Sequence, residues 1–351
     1  MVDKTLHGVN LTGWLSLESW VTPELFAGSG AIAERELAAS LGTERYQELV
    51  RAHRASFITA EDFRRIAARG FNAVRLVLPW FVLGEDGPGP GPYLGCLDEA
   101  DAALEWAEDI GLSVIFVLGI IPGAASRDGE AGDFTGVNDL LEARNRMLDV
   151  IGTLSSRWAL RAGFFGIELA EDVVPQVRRG LSLSEGVPLH VLRNYYRDAY
   201  DRVRKAAGPD PVVIIPDGGH PKLWRGFLAQ SRYRNVWIDV NLTRRPTTLD
   251  AAGPSGLRRM VETSRRHLVE ASKSGMPVMV GTWSSSLPIA DSATTHEGRI
   301  AYERIYASEQ LALLEKTRCP AWFFQTWKTS SRLASWDARI ALASFERGML
   351  A

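Results

Sequence analysis

Eight short apolar runs, separated by longer amphipathic stretches, set the pattern of this chain. They fall at residues 8–15, 73–80, 113–120, 163–170, 211–217, 236–242, 277–283 and 321–327. They are rich in Val, Ile, Phe and Trp, side chains that suit a pleated, buried surface. Most read as continuous apolar segments rather than strict alternation, as parallel strands covered on both faces do. Between them, apolar residues recur at helical spacing: Leu97, Ala100, Leu104 and Ala107 in one stretch, Leu141, Leu148, Ile151 and Leu154 in another. Thr59, followed by Glu61 and Asp62, marks a helix start with a hydroxyl cap and acids in the first turn. Eight strand-then-helix units predict an α/β fold, a single (β/α)8 TIM barrel spanning residues 1–351.

No linker divides the chain. The one biased stretch, residues 84–92, is rich in Gly and Pro and falls between a strand and a helix. With the segments 122–138 and 171–188 it makes three long loops after strands, on the side where such barrels carry their sites. Composition leaves the picture unchanged: 46% hydrophobic and 23% charged residues are ordinary for a globular domain. The net charge of −2 disfavours nucleic-acid and anionic-membrane partners, which need a basic face. No apolar run approaches the ~18 residues of a membrane span. Cys96 and Cys319 give neither a disulfide framework nor a metal spacing, and the six histidines are scattered, so no metal and no cofactor is expected. The N-terminal residues lack the basic, apolar and small-residue succession of a secretory leader, so a cytoplasmic location is expected. Nothing in the pattern fixes an oligomeric state.

The chemistry comes into view in a few long motifs. The run Gly8-Val9-Asn10-Leu11-Thr12-Gly13-Trp14-Leu15-Ser16-Leu17-Glu18-Ser19-Trp20 and the run Trp322-Phe323-Phe324-Gln325-Thr326-Trp327-Lys328-Thr329 are the most specific. Phe57-Ile58-Thr59-Ala60-Glu61-Asp62-Phe63, Gly70-Phe71-Asn72-Ala73-Val74-Arg75-Leu76 and Tyr195-Tyr196-Arg197-Asp198-Ala199-Tyr200 extend the match along nearly the whole chain. Together they resemble the exo-β-1,3-glucanases of glycoside hydrolase family 5. The resemblance implies a retaining glycosidase with two carboxylates roughly 5–5.5 Å apart at strand ends, one a nucleophile and one an acid/base. It places the acid/base at Glu171 or Asp172, depending on register. It places the nucleophile at position 282, in Gly281-Thr282-Trp283-Ser284, where a threonine stands. A threonine hydroxyl with no nearby His or Lys to activate it is no nucleophile for an acetal.

Other positions that the resemblance assigns to sugar binding are changed as well: Gly119, the run Asn241-Leu242-Thr243, and Ser330. Arg75 matches a residue that steadies the nucleophile by a charge-assisted hydrogen bond; a barrel-interior arginine paired with a structural acid is the alternative. Glu18 matches a residue that bonds substrate hydroxyls, with Arg75 or a loop backbone as its other possible partner. Trp14, Trp20, Trp283, Trp327 and Trp336 offer flat faces for sugars, Trp283 and Trp327 foremost because they stand at strand ends. Asp239 and Asn241 alternate on one strand and can both enter the barrel, while Asp217-Gly218-Gly219-His220 reads as a turn before it reads as an acid–base pair. The expected function is therefore a carbohydrate- or glycoside-binding, non-hydrolysing relative, with Glu18, Arg75, Asn241, Thr282, Trp283 and Trp327 lining the site. The alternative is an active β-glycosidase with relocated carboxylates, Glu171 or Asp172 working with Glu18, Asp239 or Asp217. Unrelated barrel chemistry is the residual reading.

Overall fold

The structure, a computed structural model, describes residues 5–84, 92–119, 137–179, 182–243, 253–289, 295–343 and 345. Ten strands follow one another along it: β1 (Leu6–Asn10), β2 (Ala73–Leu78), β3 (Ser113–Leu118), β4 (Phe164–Glu168), β5 (Arg178–Arg179), β6 (Ser182–Leu183), β7 (Val212–Pro216), β8 (Val236–Asn241), β9 (Val278–Trp283) and β10 (Ala321–Phe324). Eight of them close a parallel barrel in the order β1-β10-β9-β8-β7-β4-β3-β2, sealed where β1 pairs with both β10 and β2. This is the (β/α)8 barrel that the pattern predicts. β5 and β6 pair as a small antiparallel hairpin in the loop after β4. Of the other two long loops, residues 85–91 and 120–136 lie outside the described residues.

Both faces of the barrel wall are buried, which is why its strands read as unbroken apolar runs. Leu6, Ala73, Ile115, Ile214, Trp237, Met279 and Phe323 fill the interior. Val9, Leu76, Phe116, Ile167, Val213, Ile238, Val280 and Phe324 pack outward against the helices. Each such side chain contributes roughly 1.5–3 kcal/mol by leaving water. The helix Leu97–Ile110 buries Ala100, Ala103, Leu104 and Ala107, close to the predicted stripe, and stops at Gly111 in the left-handed region. In the helix Val137–Trp158, Leu148, Ile151 and Leu154 are buried but Leu141 is half exposed, so the buried face begins a turn or more later than its spacing suggests. Strand β1 also ends earlier than its apolar run. The chain turns at Gly13, whose φ of +75° closes a bend that a β-carbon would obstruct against Val21. Among the described residues no helix is long and apolar enough to cross a membrane.

One carboxylate ties the first β/α unit to the last. Asp62 bonds back to the Thr59 N–H at 3.0 Å, closing the predicted cap of the helix Ala60–Ala68. It also accepts from the Trp327 indole at 2.9 Å and the Lys328 ammonium at 2.7 Å, both just beyond β10. Burial works to raise its pKa, but these donors outweigh burial and hold the carboxyl below its ordinary value. We expect Asp62→Ala to destabilise the fold by about 2–4 kcal/mol, since it loses a cap and two hydrogen bonds to a charged group. Chemical denaturation of the variant against the parent measures this; a loss under 1 kcal/mol contradicts the assigned role.

Candidate active site

Arg75 lies on the interior face of β2, 2% exposed, directly paired in register with Asn10 of β1. Its Nη1 donates to Asn10 Oδ1 at 2.9 Å, and Asn10 in turn donates to the Gly281 carbonyl at 2.9 Å, linking β1, β2 and β9. Its Nε donates to Glu168 Oε2 at 3.0 Å, and Nη2 reaches the same oxygen at 2.9 Å. Asp239 Oδ2 stands 3.6 Å from Nη2, and Glu171 Oε1 stands 3.9 Å from Nη1. One guanidinium thus gathers three carboxylates from the ends of β4 and β8. Burial pulls its pKa down, but their combined field outweighs burial and holds it above the ordinary arginine value.

The acids differ in depth. Glu168 is fully buried, Asp239 is 4% exposed, and the Glu171 side chain is 28% exposed at the mouth. Burial is the main force on both deep groups. It lifts Glu168 well above the carboxylate range against the opposing pull of Arg75, with Asp239 and Glu171 pushing the same way. It lifts Asp239 to about 6, against Arg75 and the Gly281 N–H, with Asp172 adding to the rise. Both carboxyls are thus held toward their protonated forms, by burial above all.

Nearer solvent, Asp172 accepts from Asn241 Nδ2 at 2.7 Å, and Asn241 Oδ1 is held by the Thr243 N–H at 2.9 Å and hydroxyl at 2.6 Å. Asp172 sits at φ 48°, a left-handed conformation that Asp tolerates better than most residues. Glu171 extends the β4 ladder through its N–H to Leu118 O at 2.7 Å. Between Asp239 and Asn241 the pairing of β8 with β9 shifts, because β9 holds one extra residue. Thr282 therefore pairs with Asn241 and shares its face, while Asp239 accepts the Gly281 N–H inside the bulge. A β-carbon on Gly281 would meet the Asp239 carboxylate at 2.4 Å, so that gap belongs to the aspartate.

Arg75, Glu171, Asp172, Asn241 and Thr282, five of the residues singled out from sequence, thus meet at the mouth. The other three do not join them. Trp283 was expected to line the cleft, but the bulge turns it outward. It is fully buried, edge-on to Trp322 and Phe324 in the layer between barrel and helices. Trp327 is 2% exposed and anchored on Asp62, so it too presents no face to the mouth. Glu18 is not among the partners of Arg75; it accepts the Trp20 indole N–H at 2.6 Å. Trp20 and Trp336, both half-buried and following β1 and β10, meet edge-to-face at 5.4 Å and form an aromatic rim.

Asp217 points away from the barrel axis. It accepts the Gly219 N–H at 2.7 Å in a turn, and its carboxylate also meets the His267 imidazole. Gly119 is closed to side chains, because a β-carbon there would lie 2.8 Å from the Leu78 carbonyl. Ser330 bonds the Val21 carbonyl at 3.1 Å and the Glu24 carboxylate, tying two rim segments together. A cavity of about 830 Å³ opens beside this rim, lined by His53, Phe57, Lys328 and Arg339 rather than by the Arg75 cluster. Two members of the cluster, Glu168 and Asn10, escape a motif-based reading. The signal for Glu168 is present nonetheless: a lone acid in one apolar strand and a lone arginine in another have to find each other if both are buried.

No family model matches the chain. A protein of Aspergillus niger named probable glucan 1,3-beta-glucosidase A is 28% identical over 382 residues, covering 97% of this chain and 87% of that protein. Among solved structures, the rutinosidase of Aspergillus niger superposes with a TM-score of 0.72 at 16% identity, covering 95% of this chain and 93% of its own. A glycoside hydrolase family 5 enzyme of Prevotella bryantii superposes at 0.64 with 14% identity, covering 100% and 97%. Over nearly its whole length the chain is thus similar to glucan 1,3-beta-glucosidases, and it shares the barrel fold of a glycoside hydrolase family 5 enzyme.

Proposed function

We propose that the protein is a carbohydrate-binding member of this family that does not hydrolyse its ligand. The observation that carries this reading is the occupation of Arg75. The arginine that would steady a nucleophile is engaged by Glu168 and Asp239, both buried, while the position assigned to the nucleophile holds Thr282. A carboxylate that forms a glycosyl ester must reach the sugar's anomeric carbon. Glu168 and Asp239 lie beneath the mouth, both beside Arg75, and Asp239 also accepts the Gly281 N–H. Glu171, Asp172, Asn241 and Thr282 remain to bind hydroxyls by hydrogen bonds, with Trp20 and Trp336 as the apolar flank.

A second reading is favoured by one specific observation: a single guanidinium brings Glu168, Glu171 and Asp239 within the roughly 10 Å that a two-carboxylate mechanism spans. In that case Glu171, the most exposed of the three, protonates the leaving oxygen, and Asp239 is the ionised partner above its pKa of about 6.

Turnover of aryl β-glycosides and short β-glucans separates the two. We expect none from the parent protein while calorimetry detects binding of a short β-glucan. Hydrolysis by the parent, abolished when Glu171 and Asp172 are both changed to Ala, would falsify the binding-only reading. Thr282→Glu is expected to stay inactive, because it adds a fourth carboxylate around one arginine and raises the pKa values further.

The paired acids also set a pH dependence. Their pKa values are raised on folding, so their contribution to stability is present below the unfolded value near 4 and is lost as pH rises through the folded value, about 6 for Asp239. The stability difference between parent and Asp239→Asn should therefore shift by about 1–3 kcal/mol in favour of the variant between pH 4 and 7. A difference that stays constant over that range contradicts the raised pKa of Asp239.

A further inference from the structure

The geometry points to a second site: a bowl on the outer wall of the barrel that binds a small phosphorylated molecule. It lies between the helix Leu189–Ala207 and the segment leading into β8, has a volume of about 440 Å³, and takes none of its lining from a barrel strand. That volume falls in the 300–1,000 Å³ range of small-molecule sites, larger than a lone ion needs. Four arginines surround it: Arg193, Arg197, Arg225 and Arg232. Arg225 is paired with Glu270. The other three make no ion pair among the described residues, although the chain as a whole is slightly acidic, with a net charge of −2. Like charges gathered around one hollow repel, and a bound anion removes that penalty.

The arginines are also pre-positioned. Arg193 and Arg197, one helical turn apart, both lie over the Phe227 ring, at 5.5 and 5.1 Å from its centre. Arg232 lies over Tyr233 at 4.7 Å and donates to its hydroxyl at 2.8 Å. Each of the three gives one N–H to a protein acceptor, and a guanidinium's remaining donors lie in the planar fork that matches phosphate oxygens. Arg193 is fixed further, since Nη2 donates to the Leu223 carbonyl while its buried Nε has no protein partner. An orphan buried donor beside a cationic hollow is what a ligand's oxygen would satisfy. The fork geometry and the count of positive charges favour a phosphate or diphosphate group over a monocarboxylate.

Inorganic pyrophosphate is the probe, titrated into the intact protein by calorimetry against sodium chloride of equal ionic strength. We expect saturable binding, weakened about tenfold or more by Arg197→Gln, an exposed position whose loss leaves the fold intact. Arg193→Lys should also weaken binding while keeping the charge, because an ammonium lacks the fork. Glucose 6-phosphate should compete with pyrophosphate if the natural ligand is a phosphate ester. The site is overturned if pyrophosphate binds no better than the chloride control, or if Arg197→Gln and Arg193→Lys both leave the affinity unchanged. Binding of a poly-glutamate peptide but not of pyrophosphate overturns it too, in favour of an acidic protein partner.

Discussion

A buried arginine is the constraint on which the rest of this molecule's centre depends. Removing a cation from water costs several kcal/mol even after relaxation, and the loss is recovered only by well-placed carboxylates and satisfied N–H groups. Arg75 meets that condition by drawing on four strands at once: its own β2, Asn10 of β1, Glu168 of β4 and Asp239 of β8. Two deep acids for one base would leave a net negative charge in an apolar barrel. Burial raises the pKa of both acids against the pull of Arg75, which works against that excess of negative charge. The position of Asp239 then follows from the bulge in β9, which opens the gap beside Gly281.

Seen from the mouth, this buried layer forms a floor beneath the groups that solvent can reach. Glu171 stands over the arginine, Asp172 is clamped by Asn241, and Thr282 lies beside Asn241 at the end of β9. The closed position of Gly119 and the bonds of Ser330 show that the departures from the family pattern are built into the backbone as well as the side chains. Around them the family's scaffold is intact. The aromatic rim of Trp20 and Trp336 and the Asp62 anchor hold the first and last units in place.

The barrel was legible because its eight wall strands are buried on both faces, and burial of that kind leaves continuous apolar runs. The local errors have equally local causes. Leu141 has helical spacing but faces water, since periodicity identifies a face without saying where contact begins. Trp283 was misplaced because its place at a strand end does not disclose the extra residue in β9 that turns it outward. Trp327 was misplaced because position at a strand end does not decide which way a ring turns; its bond to Asp62, 265 positions earlier, does. Glu168 was missed because its neighbours Glu171 and Asp172 fit the motif, although its isolation in an apolar strand was the stronger physical signal.

The bulge in β9 has a wider consequence. Past Met279, the side chain that looks down the barrel axis is decided by a count of backbone units rather than by residue identity. As the strand stands, a small hydroxyl takes that view and a neighbouring indole is folded into the wall. A strand of the same composition that was one residue shorter would exchange the two, filling the mouth with a ring and turning the hydroxyl toward the helices. In a barrel of this kind the size and polarity of the entrance can therefore change through the length of a strand, with every side chain at its surface left as it was.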